Sequence, residues 1–138
     1  MSDGTLRALG ILVALFQGGT EKRPSLVAIE EPEVALHPSA AAVLREALTV
    51  SAKRSQILIT SHSPDLLDDR AIHADSLIAV TADGGVTQIA ALDGASRKVL
   101  RQGLYTPGEL LKLNQLAPDP AAIADTERKQ FELFEIEE

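Results

Sequence analysis

Apolar and polar positions alternate along the chain in a way that divides it into short elements. From Thr5 to Gln17, residues Leu6, Leu9, Leu12, Val13 and Phe16 recur at the three- and four-residue spacing of a helix. Ser2, Asp3 and Thr5 are candidate N-caps for it, and Gly18-Gly19 supplies a stop. Ser25-Leu26-Val27-Ala28-Ile29 is an apolar run ending in charge, which predicts a buried parallel strand. A second helix is predicted from His37 to about Ala52, with Pro38 in its first turn. Gln56-Ile57-Leu58-Ile59-Thr60 predicts another buried strand, followed by Ser61-His62-Ser63-Pro64 and a short helix through Leu67. Leu77 to Thr81 and Val86 to Leu92 predict two strands joined at Asp83-Gly84-Gly85, strong hairpin chemistry. Helical stretches follow around Arg97 to Gln102 and Pro107 to Leu113. From Asp125 onward the chain is charged, with Phe131, Leu133, Phe134 and Ile136 interleaved, so 125–138 is an acidic tail that either docks or frays. The order strand, helix, strand implies an α/β fold with a parallel sheet, flanking helices and a C-terminal β-hairpin. In such sheets the active groups gather at the C-terminal ends of the strands.

Composition narrows the picture. A chain of 138 residues, 45% hydrophobic, suffices for one compact domain with a real core, and residues 1–138 are expected to form it. Cysteine is absent, which excludes disulfides and thiolate metal sites. Met1-Ser2-Asp3-Gly4 offers no basic lead, and the apolar stretch Leu9 to Phe16 is well short of the roughly 20 residues that span a bilayer. A soluble, cytoplasmic protein with no membrane partner is expected. The formal charge is −7, with 20 acidic against 13 basic residues, and the basic ones are scattered in small pairs such as Lys53-Arg54. With aromatics at only 3%, no direct nucleic-acid surface is evident.

Three motifs fall at the expected functional edge. Leu26-Val27-Ala28-Ile29-Glu30-Glu31-Pro32-Glu33 delivers two adjacent carboxylates from an apolar strand. A strand tip of this kind can direct one acid toward a metal and its neighbour toward a water, the arrangement that phosphoryl transfer needs. Ile57-Leu58-Ile59-Thr60-Ser61-His62-Ser63-Pro64 places a histidine just beyond the next strand. Ser2-Asp3-Gly4-Thr5-Leu6-Arg7 opens an apolar helix, whose free N–H groups and dipole attract phosphate and whose small residues allow close approach. Each alone has a plain structural reading: a strand meeting solvent, an incidental loop histidine, a well-capped helix.

In this order and spacing the three resemble the C-terminal lobe of the ABC-type ATPases, nearest to those grouped with RecF, the overcoming-lysogenization-defect proteins and the chromosome-maintenance proteins. The likeness covers roughly the first two-thirds of the chain. Ser2-Asp3-Gly4-Thr5 matches the family signature, Glu30 the Walker B acid and Glu31 the catalytic carboxylate. Glu33-Val34-Ala35-Leu36-His37-Pro38 looks like the D-loop, and His62 matches the switch histidine. Leu104-Tyr105-Thr106-Pro107-Gly108-Glu109-Leu110-Leu111 resembles such ATPases more weakly. The resemblance implies a P-loop-NTPase-like lobe that uses ATP and Mg²⁺. Glu30 would hold Mg²⁺ through water, Glu31 and His62 would be catalytic, and Ser2 and Gly4 would bind the γ-phosphate of the opposite protomer's nucleotide.

One departure is as informative as the match. A phosphate-binding loop requires Gly-x-x-x-x-Gly-Lys-Ser/Thr, and no Gly-Lys dipeptide occurs in the sequence. The Walker A half is lacking, so the chain is expected to be a truncated product, a split subunit or an excised lobe, inactive alone. The expected partners are a Walker A-containing N-terminal lobe or second subunit, together with self-association as a homodimer. The alternative is a non-catalytic interaction module that keeps the lobe's fold. A fused nuclease is disfavoured by the short C-terminal stretch, which has no Asp-x-Asp pair following a strand. His37, His62 and the glutamates match no established zinc spacing.

Overall fold

Helix α1 (Asp3–Phe16) opens the first of two units, Met1–Leu66 and Leu67–Glu138, into which the chain divides. The computed structural model describes residues 3–17 and 24–134. Ser2 and the Gly18-Gly19 stop lie outside the described residues.

α1 is apolar nearly all round, so its sequence pattern does not choose a face. The face it buries carries Ile11, with Leu15 packed against the same core. The stripe that marks the helix in the sequence, Leu6, Leu9, Leu12, Val13 and Phe16, is exposed along its whole length. Strand β1 (Leu26–Glu30) pairs in parallel with β2 (Gln56–Thr60), with Leu26 opposite Gln56 and Glu30 opposite Thr60. The crossover runs through a 3₁₀ turn (Pro38–Ala40) and helix α2 (Ala41–Ala52). His37 caps that turn, its Nδ1 accepting from the Ser39 N–H at 3.2 Å. Ile11, Leu44, Leu48 and Leu66 form the core, with Ile29, Leu36, Ile57 and Ile59 packed against it.

Both strands were expected to be buried, and they are buried on one face only. Val27 and Ile29 of β1 and Ile57 and Ile59 of β2 turn inward, while Leu26 and Leu58 on the opposite face remain 49% and 51% exposed. The alternation follows from the period of a strand: neighbours at the same register share a face, and among the described residues α1 and α2 cover one face.

The second unit is built on a hairpin of β3 (Ile78–Asp83) and β4 (Val86–Ala91), antiparallel with Asp83 opposite Val86. Gly84 and Gly85 have φ of 54° and 85°, the left-handed pair that a two-residue type I′ turn requires and that glycine adopts freely. Helix α3 (Pro64–Leu67) straddles the division between the units, and α4 (Gly94–Arg101), α5 (Pro107–Lys112) and α6 (Pro120–Phe134) follow the hairpin. The Leu104–Leu111 segment has a local explanation. Thr106 and Glu109 form a reciprocal capping box at the start of α5, and the Thr106 hydroxyl also donates to Asp68 Oδ1 at 2.8 Å. No described helix is long and apolar enough to cross a membrane.

Asp93 caps α4. Its Oδ1 accepts from the N–H groups of Ala95 (2.7 Å) and Ser96 (2.9 Å), and the Ser96 hydroxyl lies 2.8 Å from its Oδ2. These bonds, the Ser96 N–H foremost, hold the carboxyl below the usual aspartate range, aided by the Arg97 charge and opposed by partial burial. A depressed carboxylate pKa gives stability that is present above the ordinary value and lost as pH falls through the folded one. Asp93→Ala should therefore cost about 1 kcal/mol at neutral pH, a usual loss for an N-cap. The gap between mutant and parent should close as pH drops below the folded pKa. Urea midpoints across an acid titration measure it, and a gap that stays constant into strong acid would contradict the charged-cap account.

Candidate functional site

β1 and β2 end side by side, because Glu30 and Thr60 are partners in register. Whatever follows either strand is therefore delivered to one edge. The Glu31 N–H donates to the Thr60 carbonyl at 2.9 Å and also lies 3.3 Å from Thr60 Oγ1, prolonging the ladder by one step. The backbone then breaks from the strand: Glu31 has φ of 43°, in the left-handed region that residues with a Cβ rarely enter. Pro32, fully buried, follows at once, and turn bonds run from Val34 N–H to Glu31 O (3.1 Å) and from Leu36 N–H to Glu33 O (3.0 Å). Ala35 is a second left-handed residue, with φ of 65°.

On this edge His62 Nδ1 lies 3.0 Å from Glu31 Oε1. The two side chains are 73% and 44% exposed, so the pair is worth at most about 1 kcal/mol of stability. Its geometry gains little from stabilising the fold and instead suits chemistry at the surface: a carboxylate able to take a proton, beside an imidazole whose Nε2 is left for another partner. One turn further on, Ser61 Oγ donates to Glu33 Oε1 at 2.6 Å, while Glu33 Oε2 is buried without a hydrogen-bond partner. Ser61 in turn accepts from the Ser63 N–H at 3.0 Å, tying the histidine loop to the glutamate loop.

The structure thus brings Glu30, Glu31 and His62 to one edge. Gly4, in the first turn of α1, lies against the same loop: a Cβ there would collide with the Ala35 carbonyl oxygen. This glycine serves close approach of backbone to backbone, a role the sequence does not suggest. Arg7 is a contributor that sequence reasoning missed, although it was part of the opening motif. Its Nη2 donates to the carbonyls of Glu30 (3.0 Å) and Glu31 (2.8 Å).

Magnesium is a hard cation that takes oxygen ligands and keeps several waters, needing only one or two carboxylates besides phosphate oxygens. The exposed Glu30 carboxylate at the strand end fits that demand, and no group of three or more acidic or histidine side chains among the described residues forms a complete cage. His37 Nδ1 is engaged in its own cap. The Glu31 and His62 side chains, both exposed to solvent, make the candidate site an open edge.

The first 68 residues match a family model described as "AAA domain, putative AbiEii toxin, Type IV TA system". The chain is 41% identical over 69 residues to the Old nuclease of Escherichia phage P2, a match that covers 49% of this chain and 11% of that protein. The fold is similar to a solved chain from work on ATP-driven dimerization and DNA-stimulated activation of SMC ATPases. That likeness has a TM-score of 0.51 at 18% identity, over 75% of this chain and 62% of the other, and it speaks to the fold alone. The chain therefore spans only part of the proteins it resembles. Glu30, Glu31 and His62 all fall within the matched first half.

Proposed function

We propose that this chain, whose first half is an ABC-type ATPase-like lobe of the RecF, overcoming-lysogenization-defect and chromosome-maintenance class, supplies the Walker B and signature half of an ATP-hydrolysing site. The observation that carries the reading is the 3.0 Å pairing of Glu31 with His62 at the C-terminal ends of adjacent parallel strands. In it Glu31 orients the attacking water and accepts its proton, with one carboxylate oxygen held by His62. In its imidazolium form His62 donates from Nδ1 to that oxygen and from Nε2 to the γ-phosphate. Glu30 holds Mg²⁺ through water, and the ion supplies neutralisation of charge on the phosphates. Ser2 and Gly4 cap the γ-phosphate of a nucleotide held by an opposite protomer, which makes self-association part of the reading. A cytoplasmic setting, where ATP is abundant, belongs to it as well.

The partner in this reading is a lobe carrying the phosphate-binding loop. Most affinity for ATP in such enzymes comes from loop amides, the loop lysine and Mg²⁺. Without them Glu30 and Glu31 face a triphosphate with too little compensating positive charge, and the interaction is repulsive. Titration calorimetry of Mg-ATP into the purified chain should therefore give no micromolar binding, and turnover should arise on mixing with a loop-bearing lobe. Micromolar binding by the chain alone would overturn the half-site arrangement. The interaction-module reading is favoured by a different observation, the exposed apolar stripe of α1. A complex with the loop-bearing lobe that forms without turnover would select it.

A further inference from the structure

We infer that Arg7 is a positioning residue, through which α1 fixes the backbone turn that presents Glu31; this rests on the catalytic reading of Glu31. In an extended strand, consecutive carbonyls point to opposite edges. One guanidinium nitrogen reaches both Glu30 O (3.0 Å) and Glu31 O (2.8 Å) because the chain leaves the strand at Glu31, where φ is 43°. The Glu31 residue is thus held on both sides. Its N–H is bound to β2 through Thr60, and its carbonyl is shared between the Val34 N–H of its own turn and Arg7, which binds it to α1. Rotating this backbone would carry the carboxylate away from His62, so the 3.0 Å contact depends on both anchors. The Ala35 carbonyl rests over Gly4, so the first two turns of α1 touch both left-handed residues of the 31–36 loop. Hydrogen bonds from a charged donor are about twice as strong as neutral ones, and Arg7 makes two on a segment whose backbone conformation is otherwise unfavourable.

The test uses the full chain with Arg7→Met, which keeps an apolar stem without the donor, and Arg7→Lys, which keeps a cationic donor. Amide hydrogen exchange is read by NMR at Glu31 and, for comparison, at Leu44 and Leu48 in the core helix α2. Arg7→Met should speed exchange at Glu31 by about tenfold or more while the Leu44 and Leu48 amides stay within about twofold, the mark of local opening. Arg7→Lys should restore at least part of that protection. Equal acceleration at all three amides would make Arg7 a general structural contact, and unchanged exchange at Glu31 would remove its role altogether. If the methionine variant does not fold, the lysine variant and Gly4→Ala carry the test. Gly4→Ala should free the Leu36 amide selectively by displacing the Ala35 carbonyl, and an unaltered loop would overturn the inference. None of these readouts needs ATP, so they stand apart from the proposed activity. In a mixture that turns over, Arg7→Met should lower kcat about tenfold with KM within about twofold, and the reverse split would contradict a positioning role.

Discussion

Glu31→Gln is expected to lower turnover at the proposed ATPase site by about two to four orders of magnitude, the range for loss of a general base. That corresponds to roughly 3–5 kcal/mol of transition-state stabilisation. The amide is nearly isosteric and can keep an oxygen toward His62. The backbone bonds that shape the turn, from the Glu31 N–H to Thr60 and from Arg7 to the Glu31 carbonyl, do not involve the side chain and persist. What disappears is the capacity to take a proton from water. Nucleotide affinity should be nearly unchanged, because in the proposed site most phosphate contacts come from the loop-bearing lobe. Single-turnover rates and equilibrium binding on the same mixture separate these effects. If binding and turnover fall together, Glu31 is holding the edge in shape rather than acting on water.

The second large effect is expected in the core beneath the edge. Leu66 is 1% exposed, and it completes a core whose other buried members are Ile11, Leu44 and Leu48. Arg45 also ties the chain here, its Nη1 donating to the Asp65 carbonyl at 2.8 Å. Leu66→Ala should cost about 2–5 kcal/mol, combining the lost transfer energy with the cavity left behind. A core this small has few neighbours to collapse into the space, which favours the upper part of that range. Because Leu66 lies four residues beyond His62, the loss should appear as unfolding of the first unit and not as a selective change in the site. Urea denaturation followed by far-ultraviolet circular dichroism measures it. A cost below about 1 kcal/mol would mean that the site relaxes fully around alanine, contrary to its burial.

The parts legible from sequence were those whose chemistry is local. Both parallel strands show themselves as apolar runs bounded by charge or turn residues, and the Asp83-Gly84-Gly85 hairpin is dictated by the need for positive φ. The meeting of the glutamate and histidine loops on one edge follows from register alone once the strands are parallel. Other features depend on what folds against what. The left-handed backbone of Glu31, the fit of Gly4 under Ala35 and the reach of Arg7 to two carbonyls need the tertiary structure, and no periodicity encodes them. The choice of buried face on α1 is hidden because aliphatic residues occur on both sides, Ile11 and Leu15 on the buried one and Leu9, Leu12 and Val13 on the exposed one. Helix α6 was legible in principle: Asp119 precedes Pro120, and the Asp119 carboxylate accepts from the Ala121 N–H at 3.0 Å. The charged composition from Asp125 onward masks it, since composition says little about a helix whose start is set by a cap. Asp93 likewise marks the beginning of α4, obscured by the glycine at the helix's first position.

The two sheets also differ in what they ask of the unfolded chain. Leu26 and Gln56 are thirty residues apart when they pair, whereas Asp83 and Val86 are separated by three. On a logarithmic closure law, that tenfold difference in loop length costs roughly 2 kcal/mol more entropy before the first parallel contact forms. The hairpin can nucleate at its glycines within microseconds. The parallel pair instead requires a crossover helix to shorten the gap, so the edge that holds Glu31 and His62 together is assembled by contacts some thirty residues apart in the chain. A nascent chain therefore displays its candidate catalytic groups long before anything holds them 3.0 Å apart.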